Sequence, residues 1–144
     1  MADFNTLTIA GNLTQEPELR FTPQGVAVCS LQVVTSKSVK NADGTWENKD
    51  AVYWTVNVWR QAAENCADSL TKGMGVIIIG TPVMKEWEAK DGTKRHKLEL
   101  NADHVAVSLN RYSVKATKTT NSGSATQTFN DDPWATNQKE DIPF

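Results

Sequence analysis

Tyr53 and Trp59 lie in the run Val52-Tyr53-Trp54-Thr55-Val56-Asn57-Val58-Trp59-Arg60. Successive side chains of an extended strand point to opposite faces. Val52, Trp54, Val56 and Val58 therefore make one apolar face, suited to a core or a subunit interface. Tyr53, Thr55, Asn57 and Trp59 make the other. Rings interleaved with hydroxyl and amide groups suit neither bulk water nor a dry interior. An aromatic ring on such a face can stack a nucleobase, which contributes about 1–3 kcal/mol per base whatever the sequence. The strand by itself leaves a second reading open, in which both rings cover a small cluster under a loop.

The flanking hairpins favour the first reading. Lys85 and Trp87 share a face, and Lys94, Arg95 and Lys97 lie across the turn at Asp91-Gly92. Lys37, Lys40 and Lys49 bracket an earlier turn, with Trp46 near its tip. A single lysine is usually a solvated charge. Cations repeatedly set beside rings are what a single-stranded phosphate backbone with unstacked bases requires. The expected base-stacking residues are Tyr53, Trp59 and Trp87. The expected phosphate contacts are Lys37, Lys40, Lys49, Arg60, Lys72, Lys85, Lys94 and Arg95.

No catalytic constellation competes with this. His96 and His104, the two histidines, have no metal-type spacing with cysteines or acids. Cys29 and Cys66 form no Cys-x-x-Cys pair and read as small buried hydrophobes in a reducing compartment. No Gly-rich loop is placed to cradle a phosphate. The expectation is a binding protein rather than an enzyme, with no metal and no cofactor.

The chain closes on Glu140-Asp141-Ile142-Pro143-Phe144. An Ile and a terminal Phe serve solubility poorly. An aromatic anchor with acidic neighbours and a carboxylate suits a shallow apolar pocket rimmed by Arg and Lys. Asp141, Ile142, Pro143 and Phe144 are the expected protein-docking tip, and Asp131-Asp132-Pro133-Trp134 echoes that chemistry upstream.

The elements that must position these residues follow from turn signals and periodicity. Of 144 residues, 39% are apolar, enough for one domain with an appendage. The net charge of −2 divides unevenly: residues 1–118 carry +1 and residues 119–144 carry −3. No apolar stretch reaches membrane-spanning length and no signal peptide is visible, so a cytoplasmic protein is expected. Strands are expected at Thr6–Ala10, ending at Gly11-Asn12, and at Leu19–Phe21, Val26–Thr35, Val52–Arg60, Val76–Glu88 and Lys94–Val105. Asn41-Ala42-Asp43-Gly44 and Asp91-Gly92 are hairpin turns. Pro82 argues for an edge or a bulge. One helix is expected over Gln61–Thr71, with Gly73 as its stop. The expected class is all-β: an OB-fold, five-stranded Greek-key barrel with one helix, or else a β-sandwich. Residues 1–112 would form this domain. Residues 113–144, rich in Ser, Thr, Asn and Gln, would form a disordered acidic tail.

These residues resemble the bacterial and phage single-stranded-DNA-binding proteins. Leu7 to Phe21, with Gly11-Asn12-Leu13 and Pro17-Glu18-Leu19-Arg20-Phe21, resembles that family's opening strands. Asn65 to Gly73 resembles its helix, and Glu140 to Phe144 its partner-recruiting terminus. The resemblance covers 4–112 and the tip. It implies an OB-fold, a homotetramer, a nucleoid-associated place in the cytoplasm, and recruitment of replication, recombination and repair proteins. The family's stacking positions fall on Tyr53, Trp59 and Trp87; a further one falls on Val39, a departure beside which Trp46 is the available aromatic. Two other functions compete: an OB-fold RNA-binding module, and a protein-interaction scaffold with Tyr53 and Trp59 buried between subunits. A small-molecule barrel would leave the hairpin cations without a purpose.

Overall fold

Period-two alternation of small and branched residues builds the framework. The computed structural model describes residues 3–119. Within them the chain forms β1 (Leu7–Leu13), β2 (Glu18–Phe21), β3 (Ala27–Lys40), β4 (Trp46–Trp59), α1 (Gln61–Ser69), β5 (Gly75–Glu88) and β6 (Lys94–Val107). One sheet runs in the order β1-β5-β6-β4-β3-β2 and closes on itself where β1 also pairs with β3. All pairings are antiparallel except β4 with β6, which run parallel at Val56–Leu100 and Asn57–Asn101. Five strands thus make the closed Greek-key barrel of an OB-fold, and short β2 is a flap on β3. A single closed sheet excludes the β-sandwich.

The inward positions were legible: Ala27, Cys29, Leu31 and Val33 of β3 and Val56 and Val58 of β4 are buried, joined by Ile78 and Leu100. Val52 departs from that pattern. It lies on the same face of β4 but beyond the barrel, where the face is exposed. Helix α1 adds Ala63 and Cys66 to the same core, followed by Leu70 and Met74.

Several boundaries differ from expectation. β1 continues through Gly11-Asn12 to Leu13 because it crosses there onto β3. A Cβ on Gly11 would stand 2.2 Å from the Val34 carbonyl oxygen, so only glycine permits that approach. The helix ends at Ser69, and Gly73 instead serves a separate turn in which the Met74 N–H donates to the Thr71 carbonyl. β3 and β4 run to Lys40 and from Trp46, making a much longer arm than Val26–Thr35 and Val52–Arg60 suggest. The irregularity near Pro82 lies between Ile79 and Gly80, where β6 carries an extra residue. Pro82 itself pairs with Leu100 just past the end of β1, where its missing N–H costs no second ladder.

The two long arms end in the same turn chemistry. Asp43 Oδ1 accepts from the Thr45 N–H at 3.0 Å and hydroxyl at 2.6 Å, and Asp91 Oδ1 accepts from Thr93 at 3.1 and 2.6 Å. These bonds favour the ionised form and hold both carboxyls below the usual aspartate range. Residues from 120 onward, including the expected tip Asp141, Ile142, Pro143 and Phe144, lie outside the described residues.

Candidate nucleic-acid interface

Strand register brings the outward residues of four strands onto one face. Val56 and Leu100 pair and are both fully buried, so their neighbours Thr55 and Asn57 on β4, and Glu99 and Asn101 on β6, turn outward together. β3 contributes Ser30, Gln32 and Val34, opposite Asn57, Thr55 and Tyr53. β5 contributes Val83, Lys85 and Trp87, opposite Glu99, Lys97 and Arg95. The three rings are open on this face: Tyr53 is 74% exposed, Trp59 42% and Trp87 44%.

Between the rings lies a hydrogen-bonded polar floor. Lys97 Nζ donates to Thr55 Oγ1 at 2.6 Å, and the Thr55 hydroxyl donates to Gln32 Oε1 at 3.1 Å. The ammonium therefore roofs a buried threonine and stands between the β4 rings and the β5–β6 arm. Asn57 Nδ2 donates to Glu99 Oε1 at 2.8 Å. Among the described residues no buried side-chain nitrogen or oxygen lacks a partner, so the floor is fixed rather than free to collapse.

The expected phosphate contacts separate into groups. Lys85 and Arg95 lie beside Trp87 on the ring face. Lys94 stands opposite Glu88 in the strand register, on the other side of that arm. In the β3–β4 arm the register shifts by one residue between Thr35 and Lys37, the extra residue falling on β4 near Asp50, whose φ is 57°. Beyond this bulge the Tyr53 row continues through Ser36, Ser38 and Lys40, opposite Asn48 and Trp46. Lys37 and Lys49 face each other on the opposite side with Val39, and Lys49 lies 3.9 Å from Glu47. Val39 therefore points away from Tyr53, while the exposed Trp46 shares its side. Arg60 follows Trp59 directly, its backbone N–H donating to Ala27 and its φ of 63° turning the chain into α1. Lys72 lies in the turn before β5, the far end from Trp87, with its N–H donating to Glu16 Oε1.

Sequence reasoning placed Lys97 on the hairpin but not among the phosphate contacts, and it missed the floor. Counting alternation back from Leu100 would have found Lys97, Glu99 and Asn101 on one face. Trp46 was already named beside Val39, but nothing in the sequence marks the bulge at Asp50, so which of the two shares the side of Tyr53 was not accessible. The cysteines are core residues: burial raises the Cys29 thiol, and burial with Cys29 nearby pushes Cys66 up to about 12. Among the described residues no group of three or more His, Cys, Asp and Glu could hold a metal ion, and no helix is long and apolar enough to cross a membrane.

One outer face of the OB barrel carries rings, cations and amides, and comparison with known proteins gives its family. The chain is 37% identical to a single-stranded DNA-binding protein of Mycobacterium bovis, over 93% of this chain and 89% of the relative. It is 38% identical to one of Paenarthrobacter aurescens, over 95% and 90%. Among solved structures, a small single-stranded DNA-binding protein from Streptomyces coelicolor superposes with a TM-score of 0.65 at 20% identity, covering 77% of this chain and all of that one, a likeness of fold. A deletion variant of the Thermus aquaticus single-stranded DNA binding protein gives 0.60 at 26% identity, over 74% and 51%. The model of the single-strand binding protein family matches residues 4–108, and the chain belongs to that family.

Proposed function

We propose that the protein binds and protects single-stranded DNA, tolerantly of sequence and without catalysis, in replication, recombination and repair. One observation carries the reading: Tyr53, Trp59 and Trp87 stand exposed on one outer barrel face together with Lys85, Arg95 and Lys97. The rings stack bases, and Lys40, Arg60, Lys85, Arg95 and Lys97 neutralise phosphates. Trp46 supplies the ring that Val39 lacks. Residues 1–112 form the binding domain. Residues 113–144 form the tail, whose Asp141, Ile142, Pro143 and Phe144 dock partner proteins. The protein works in the cytoplasm on the nucleoid.

A homotetramer fits two features of the barrel. Residues 7–10 of β1 pair with β5 on one side and have no strand on the other among the described residues, an edge that a second copy would cover. Val52, Met84 and Leu98 are exposed apolar residues on the side of the arms away from the rings.

Titration with dT oligomers at two salt concentrations tests the function. Tryptophan fluorescence is quenched and affinity falls steeply with salt. Trp59→Ala loses more affinity than Trp134→Ala. Equal losses, or no quenching, would overturn the reading. An RNA oligomer that binds more tightly than DNA of the same length would assign the face to RNA.

A further inference from the structure

One side chain is of the wrong sign for a phosphate groove. Glu99 sits among the rings and cations of the outer face and is only 8% exposed. Its one hydrogen-bond partner among the described residues is Asn57, whose Nδ2 occupies Oε1 at 2.8 Å. Lys97, two residues away on the same face, sends its ammonium to Thr55 instead, and no cation comes within ion-pairing distance of Glu99 among the described residues. Among the described residues no buried side-chain oxygen is left without a partner, so the second oxygen, Oε2, is not sealed from the outer face.

An unpaired carboxylate that is largely desolvated is costly, and a polyanion passing over it raises the cost. A phosphate is therefore excluded from this point, and a base edge must cross it. We infer that Glu99 is a base-reading residue that favours bases bearing an exocyclic amine. This rests on the single-stranded DNA reading above. A carboxylate only accepts hydrogen bonds. Its open oxygen accepts from the N4 amine of cytosine, whereas thymine presents the O4 acceptor to the same point. Asn57 positions the carboxylate, and the flanking rings hold the base plane while its edge turns inward. The groove then carries a local preference on top of sequence-tolerant stacking.

Glu99→Gln inverts this logic without changing the shape. Asn57 still donates, so the glutamine carbonyl oxygen takes that bond and its NH₂ faces the groove as a donor. The full chain and the variant are titrated with labelled dC and dT oligomers of equal length. The ratio of the dT Kd to the dC Kd falls roughly tenfold in Glu99→Gln, the scale of one charge-assisted hydrogen bond. Comparing that ratio between the variant and the unaltered protein cancels the intrinsic difference in stacking and flexibility between the oligomers. A second measurement needs no variant: against dC, an oligomer of the pyrimidin-2-one nucleoside, which lacks the 4-amino group, binds the unaltered protein several-fold more weakly. Equal affinity for those two oligomers, or a dT-to-dC ratio unchanged within twofold in Glu99→Gln, overturns the inference while DNA binding stands. Failure of every oligomer to bind overturns the parent reading and this one with it.

Discussion

Tyr53→Ala separates stacking from folding more sharply than any other change on the ring face. Tyr53 is 74% exposed, so only about a quarter of its side chain is packed. With some 200 Å² on an aromatic side chain, about 50 Å² is covered, and its loss costs ~1 kcal/mol of stability. Trp59 is 42% exposed and lies opposite the buried Val28, so Trp59→Ala removes about 120 Å² of packing and costs ~3 kcal/mol. If both rings stack a base, each substitution should weaken binding by ~1–3 kcal/mol, a factor of about 5 to 150, despite their unequal cost to the fold. Stacking releases no counterions, so the slope of log affinity against log salt should not change. The assay is anisotropy of an end-labelled dT oligomer at three salt concentrations, with thermal unfolding run alongside. Tyr53→Ala binding within twofold of the unaltered protein would refute the stacking role. So would a loss accompanied by a shallower salt slope, which would make the residue's effect electrostatic.

Lys85→Ala should act in the opposite sense, reducing the salt slope by about 0.7 with a modest loss at any one concentration, while Lys72→Ala leaves the slope unchanged. The turn carboxyls Asp43 and Asp91 titrate below the usual aspartate value when folded, so the order they confer is complete above pH 3.8 and lost as pH falls through the lowered folded values; the Thr45 and Thr93 amide resonances should report that loss. Cys66, with its thiol at about 12, should resist iodoacetamide at pH 8 in the folded protein and react once unfolded; rapid alkylation in the native state would contradict its core placement.

The barrel's inner face was readable because alternate residues of β3 from Ala27 to Val33, and Val56 and Val58 of β4, are small or branched, and burial follows that period there. The ring pair was readable for the same reason: Tyr53 and Trp59 share a parity with Thr55 and Asn57. What failed was continuity. Period-two counting assumes an unbroken strand, and the extra residue near Asp50 shifts β4 by one, exchanging Glu47 and Lys49 for Trp46 and Asn48 on the ring side. A positive φ at an aspartate has no unique sequence mark. β1 was cut short for a related reason. Gly11 reads locally as a breaker, whereas the long-range contact with the Val34 backbone is what requires it. Glu99 went unnoticed because a glutamate in a charged hairpin looks solvated; only its register beside Asn57 places it on the floor.

An acidic chain that binds a polyanion is not a contradiction once the charges are located. The net charge is an average over a molecule far larger than the ~8–10 Å over which exposed charges act at physiological salt. On the β5–β6 arm, register sorts the charges by side. Lys85, Arg95 and Lys97 lie on the ring face; Glu86, Glu88, Lys94 and His96 lie on the other, where His96 stands 3.1 Å from Glu86. Along the ring face of that arm, counting inward from Trp87 and Arg95, the first acid met is Glu99, at the floor and not the rim; Asp91 lies beyond them in the turn. A phosphate following the rim therefore meets cations alone, whatever the far face carries. Reversing the charge of Glu86 or Glu88 would raise the net charge as much as reversing Glu99, yet should alter oligonucleotide affinity far less. The sidedness of the arm, set by strand parity, is the quantity that matters for binding, and the sign of the whole chain is a poor guide to it.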